Sequence, residues 1–224
     1  MTRLVLGYLD IAIAIITAVI WLGIVQRPAS KVLGESAARR AQRAAPSLVV
    51  ITLTAVLALL LVSADSLSTA AAILLGVAAS TLSVQTVVDL ATRRLPLRIS
   101  HLAALVVTML AIIDIPSRTV SVLLGATFML LIAWSLARLT KGSLGRGDIH
   151  FSPMLGAVIG WTSPWPDLPG GLLTAWLLTA IAGAAVTLVG LIIRMIDRGS
   201  TVPYGPFMAL GTLVVVTTTL GGTP

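Results

Sequence analysis

The sequence predicts an all-α, polytopic membrane protein, a bundle of about eight spanning helices, and three observations carry that expectation. Of 224 residues, 57% are apolar and only 10% charged, against about 45–50% and about 25% in an ordinary soluble domain. The apolar residues come in long blocks without polar alternation, so too few charges remain to clothe a soluble surface, and lipid must be the main solvent. Basic residues then fall in alternate gaps between the blocks, as the positive-inside rule requires of a correctly counted set of spans.

A spanning helix needs about 20 mostly apolar residues, with a range of about 17–25. On that criterion the spans run over 4–25, 48–64, 69–88, 99–115, 119–139, 149–165, 170–193 and 202–219. The first begins like a signal peptide. Its apolar run, however, exceeds the usual h-region of about 7–15 residues, contains Asp10, and ends at Gln26-Arg27-Pro28 without a small-residue cleavage site; it reads as a retained span. The second, fourth and sixth approach the lower length limit, and the sixth is interrupted by Pro153 and several glycines.

Gaps 26–47, 89–98, 138–148 and 194–201 hold 13 of the 15 Lys and Arg residues, leaving Arg3 and Arg118 for the opposite side. Those four gaps are therefore expected in the cytoplasm and both termini outside it. The longest, 26–47, is a loop rich in Ala and Arg. Residues 1–224 thus read as a single membrane domain with no internal repeat.

A net charge of +7 would suggest a nucleic-acid partner for a soluble chain. Here the cations sit in short gaps with no aromatic-studded basic face, so they set topology and no nucleic acid is expected. The absence of cysteine excludes disulfides, Fe–S clusters and Cys-ligated zinc. The two histidines, His101 and His150, make no convincing metal site.

Carboxylates in or beside apolar spans are costly, so each is a functional candidate. Asp10, Asp65, Asp114 and Asp167 fall at or near expected extracytoplasmic ends, where water and headgroups solvate them, although Asp10 is about two helical turns inside its span. Asp197 sits between Arg194 and Arg198. Asp89 and Asp148 differ. Asp89 closes the third span in Thr-Val-Val-Asp-Leu-Ala-Thr-Arg-Arg-Leu-Pro, and Asp148 opens the sixth after Gly-Arg-Gly, so topology puts both at the cytoplasmic interface.

Two carboxylates at one depth converge when their helices pack, and close like charges do not easily both ionise, so one keeps its proton near neutrality. Aspartic proteolysis needs this state: the ionised group takes a proton from water while the protonated one polarises the scissile carbonyl. The same residues could instead be ordinary interfacial ion pairs to Arg93, Arg94 and Arg146, the alternative that spacing and topology alone leave open. Gly145 and Gly147, in Lys141-Gly-Ser-Leu-Gly-Arg-Gly-Asp148, give backbone freedom and room for a substrate strand. The run neither follows a strand nor matches nucleotide-binding spacing.

Three segments together resemble the type IV prepilin peptidases, membrane aspartic proteases with a Gly-x-Gly-Asp motif. Gly145-Arg146-Gly147-Asp148-Ile149-His150, followed by Met154-Leu155-Gly156-Ala157 and Gly160-Trp161, is similar to the family's second active-site motif. Asp89 with Leu95-Pro96 resembles the first. Val202-Pro203-Tyr204-Gly205-Pro206-Phe207 resembles a C-terminal Pro-Phe-Gly-Pro-Phe segment. The similarity covers roughly 70–219.

The resemblance implies catalysis by Asp89 and Asp148 at the cytoplasmic face of the inner membrane. Gly145 and Gly147 would form an active-site loop, and His150, Pro203, Gly205 and Pro206 would border a substrate groove. The substrate would be a prepilin or pseudopilin precursor, cut between a short basic leader ending in Gly and its apolar helix. No metal or organic cofactor is implied. Departures from the family are His150 where a Lys is common, and Leu97 where a polar residue is common. The lack of Cys and the short 26–47 loop put methyl transfer in doubt. A small proton- or cation-coupled transporter using the same acids is the alternative, but it calls for acids nearer the bilayer midplane.

Overall fold

The computed structural model describes residues 68–92, 97–139, 144–192 and 204–221. The first two expected spans, the 26–47 loop, Asp10, Asp65, Asp197 and Pro203 lie outside the described residues. The helices are α1 (Thr69–Thr92), α2 (Leu97–Asp114), α3 (Thr119–Leu139), α4 (Arg146–Thr162), α5 (Leu168–Ile192) and α6 (Gly205–Gly221), with a 3-10 turn over Pro116–Arg118 joining α2 to α3. Among the described residues there is no strand, as the apolar blocks require. These helices fall on the third to eighth expected spans.

Four stretches, Thr69–Thr86, Leu97–Asp114, Pro116–Leu139 and Leu168–Val189, are long and apolar enough to cross a bilayer; the chain is a multi-pass membrane protein. Helix α4 is not one of the four, and its surroundings explain why. It packs against α2, α3, α5 and α6, and every residue from Met154 to Thr162 is buried. A helix screened from lipid by other helices can keep a short, glycine-rich, less apolar sequence.

The outer helices show the complementary pattern. Large side chains exposed on α2 recur at Leu102, Leu105, Met109 and Ile113, and on α5 at Leu173, Leu177 and Ile181, a three-to-four-residue repeat that covers one helical face. The opposite face of α2 buries Ala103, Val107 and Ala111. Large residues meet lipid and small ones meet protein, because helices in lipid associate by close contact instead of by escape from water.

The closest contact lies between α3 and α4. A Cβ on Gly156 would stand 2.1 Å from the Gly125 carbonyl oxygen, and one on Gly160 would stand 2.2 Å from that of Ser121. The two backbones therefore touch along this seam, and only Gly fits at either position. Helices α5 and α6 meet similarly: a Cβ on Gly211 would be 2.3 Å from the Ala175 carbonyl, and Thr179 donates to the Phe207 carbonyl at 3.2 Å.

At the end of α4 away from Asp148, polar groups fasten the bundle. Trp161 Nε1 donates to Asp114 Oδ2 at 2.7 Å, and Ser68 donates to the other carboxylate oxygen. Arg118 donates to the Trp161 and Thr162 carbonyls. Asp114, expected as a solvated interfacial acid, is thus a half-buried tie between the start of α1, the end of α2 and the end of α4. Arg118 neutralises carbonyls at the negative end of the α4 dipole.

Pro153 interrupts α4 without ending it. Proline has no N–H, so the Ile149 carbonyl four residues back loses its helical donor. The Ser152 hydroxyl donates to that carbonyl instead, at 2.8 Å.

Gly156→Leu should therefore lose most folded protein, and Gly156→Ala should destabilise by about 1–3 kcal/mol as an overpacked contact. Thermal unfolding followed by size-exclusion fluorescence in detergent checks both.

Candidate active site

Asp148 is positioned by the start of α4. Gly145 is the N-cap, with extended backbone at φ −65° and ψ 146°, and its carbonyl accepts the Asp148 and Ile149 N–H groups at 3.1 and 3.3 Å. Its own N–H donates to Asp148 Oδ2 at 3.2 Å. A Cβ at Gly145 would come within 3.0 Å of that oxygen. A side chain here would press on the carboxylate and shift it by a few tenths of an ångström, and no left-handed backbone is involved. Gly147 lies half-buried in the same first turn.

Asp89 arrives from the other side. It sits beyond the apolar stretch Thr69–Thr86, in the last turn of α1, which runs on to Thr92 instead of stopping at residue 88. Its Oδ2 accepts the Gly205 N–H at 3.3 Å. Gly205 is the first residue of α6, whose Phe207 and Met208 N–H groups donate to the Tyr204 carbonyl at 3.1 and 3.2 Å. A carboxylate at a helix N-terminus meets the positive end of its dipole, so α6 favours the charged form of Asp89.

Both carboxylates are nearly sealed from solvent, Asp89 at 5% and Asp148 at 6% exposure. Burial pushes Asp89 above the usual carboxylate range, and the Gly205 amide opposes that shift. Asp148 is pushed up to about 7, first by burial and then by repulsion from Asp89, against the pull of the Gly145 amide. Asp148 Oδ1 is buried with no hydrogen-bond partner among the described residues. The Tyr204 hydroxyl belongs to the same cluster: burial and then the Asp148 charge raise its pKa.

The structure therefore brings together Asp89, Asp148, Gly145 and Gly205 from residues the sequence singled out. Pro206 is half-buried in the first turn of α6. His150 follows Asp148 by two positions, a spacing that does not share a helix face; its Nδ1 lies 2.9 Å from His101 Nε2 on α2.

Sequence reasoning passed over three contributors. Gln85, 1% exposed, lies one turn before Asp89 on the same face and donates through Nε2 to Ser100 Oγ at 3.0 Å, tying α1 to α2. A glutamine four residues before an interfacial aspartate within an apolar span was a readable signal. Tyr204 and Ser100 had no comparable one.

A helical membrane bundle that buries two repelling carboxylates at one end defines a class, polytopic membrane proteins with a buried acid pair at one end of the helices. The type IV leader peptidase family matches residues 76–188, a stretch that includes both aspartates. The chain belongs to that family. Among curated proteins, the prepilin leader peptidase/N-methyltransferase of Pectobacterium carotovorum subsp. carotovorum is 30% identical over 137 residues. That alignment covers 59% of this chain and 46% of the relative, so the chain spans less than half of that protein's length. No solved structure matches significantly.

The raised pKa of Asp148 sets a pH dependence of stability. The folded protein holds a proton that the unfolded chain releases near its model value of 3.8, so stability falls as pH rises from there to about 7 and is flat above. Asp148→Asn, neutral throughout, should make that slope shallower and leave the protein more stable than wild type above neutrality. Thermal unfolding in detergent across this range reads it out.

Proposed function

We propose that the protein is a membrane aspartic endopeptidase that removes the short basic leader from prepilin or pseudopilin precursors at the cytoplasmic face of the inner membrane. One observation carries this reading: the buried, mutually repelling Asp89 and Asp148 pair, inside the family-matched segment and at one end of the bundle. Family membership favours hydrolysis over proton- or cation-coupled transport by the same acids.

Asp89 is the group to ionise first, because it has the Gly205 amide and the α6 dipole, whereas Asp148 titrates near 7 under the Asp89 charge. Asp89 takes a proton from water as the oxygen attacks the scissile carbonyl carbon. Asp148 gives its proton to the carbonyl oxygen, leaving a neutral tetrahedral diol. The proton on Asp89 then passes to the amide nitrogen, Asp148 recovers one from a diol hydroxyl, and the C–N bond breaks. Leader and mature chain leave with the two carboxyls back in their starting states. The unpartnered Asp148 Oδ1 is the atom suited to face the carbonyl, and Gly145 keeps that approach narrow.

The Gly-to-apolar-helix junction of such precursors lies at the membrane interface, the depth this reading gives to the end of α1 and the start of α4. The basic loops fix topology and would not attract a cationic leader. Methyl transfer, part of the curated relative's printed name, is not part of this proposal, because the chain has no cysteine.

Co-expression with a candidate prepilin tests the reading: Asp89→Asn and Asp148→Asn should each lower leader removal on the order of a thousandfold or more. Processing by both variants at wild-type rates would sink the mechanism. Initial rates of wild type should also decline as pH rises beyond about 7, where Asp148 loses its proton; a rate still climbing there would contradict the assigned roles.

A further inference from the structure

A second feature lies at the same end of the bundle, on its lipid-facing side. Helices α3 and α4 leave a groove of about 670 Å³ between them, walled by Leu130, Leu131 and Trp134 and bordered by Arg138, Arg146 and His150. Neither aspartate lines it. Leu131 is 49% exposed and Trp134 48% exposed, so the groove opens outward from the bundle. Arg138 stands in the last turn of α3 with its guanidinium 4.8 Å from the centre of the Trp134 ring. Arg146 opens α4 across the mouth.

We propose that this groove binds one anionic phospholipid, of the phosphatidylglycerol type, from the leaflet at the aspartate end. Charge complementarity selects the occupant. Two guanidiniums border the groove, and among the described residues neither is paired with a carboxylate. The planar guanidinium fork matches phosphate oxygens with two parallel hydrogen bonds. Their position at the ends of α3 and α4 is headgroup depth, while Leu130, Leu131 and Trp134 continue the groove along the apolar part of α3, where an acyl chain lies. The volume falls within the range of ordinary ligand sites, about 300–1,000 Å³, ample for a glycerophosphate headgroup and the root of a chain.

His150 adds polarity at the border. Its Nδ1 is engaged with His101 Nε2. When His101 is the donor, the His150 proton resides on Nε2, where it can donate to a phosphate oxygen. A zwitterionic lipid brings a cation beside its phosphate, which the arginines oppose. A cationic leader peptide is repelled for the same reason, so the groove is separate from the proposed substrate path, and Asp148→Asn protein should hold lipid as well as wild type does.

The test uses the delipidated full chain in detergent, titrated with phosphatidylglycerol, phosphatidylcholine or inorganic phosphate and read by native mass spectrometry. Wild type should retain phosphatidylglycerol about tenfold or more above phosphatidylcholine, and R138Q/R146Q should erase that preference. R138K/R146K should keep part of it, since the charge remains without the planar fork. Leu131→Trp, which fills the groove and leaves both arginines in place, should weaken phosphatidylglycerol binding and so covers the case in which the arginine variant fails to fold. Equal retention of the two lipids by wild type would overturn the proposal, as would a preference that survives in Leu131→Trp. Displacement of bound lipid by inorganic phosphate at matched concentration would show an anion site instead of a lipid site, and overturn it too.

Discussion

Taking two carboxylates out of water at one end of a helical bundle is the constraint on which the rest of the architecture depends. An isolated buried charge is expensive, and a pair of like charges is worse. The fold answers with two helix N-termini. The α4 start offers the Gly145 amide to Asp148, and the α6 start offers the Gly205 amide to Asp89. The offer to Asp148 is incomplete, since its Oδ1 has no partner among the described residues, and burial and repulsion raise its pKa so that a proton is held more tightly. The site is therefore asymmetric by construction, although its two acids are of one kind.

Such a pair has to be held by something other than its own attraction, because it has none. The α3–α4 seam supplies rigidity through backbone contact at Gly125, Gly156 and Gly160. Gln85 and Ser100 keep α1 in register with α2 one turn from Asp89, and the Thr179 to Phe207 bond does the same for α5 and α6. Each of the three helices that meet at the acids is thus pinned by a neighbour that carries neither acid.

Much of this was legible in the sequence. Long apolar blocks revealed the helical class, because lipid imposes length, and the ends of those blocks put Asp89 and Asp148 at helix ends, where the structure also has them. The inward faces were not legible. Helices α2 and α5 are apolar all round, so no amphipathic stripe marks which side meets protein; the distinction is one of residue size, visible only once Ala103 and Val107 are seen opposite Leu102 and Leu105. The role of Asp114 was hidden for a related reason. Its partner Trp161 is 47 residues away, and nothing local in the sequence announces a bond of that span. Backbone freedom is what the sequence suggests for Gly145, whereas the structure uses its missing side chain as space for a carboxylate.

The tie at Asp114 and Trp161 also gives α4 the mechanics of a lever. Thirteen residues separate Asp148 from Trp161, about 20 Å of rigid helix at 1.5 Å per residue. A tilt of about five degrees at the far fulcrum swings the acid tip by roughly 2 Å over that arm. Displacements of about 1 Å are enough to cost reacting groups a hundredfold in rate. The placement of the acid pair is thus set partly at the opposite end of the bundle, by an indole, an arginine and a carboxylate that lie far from it.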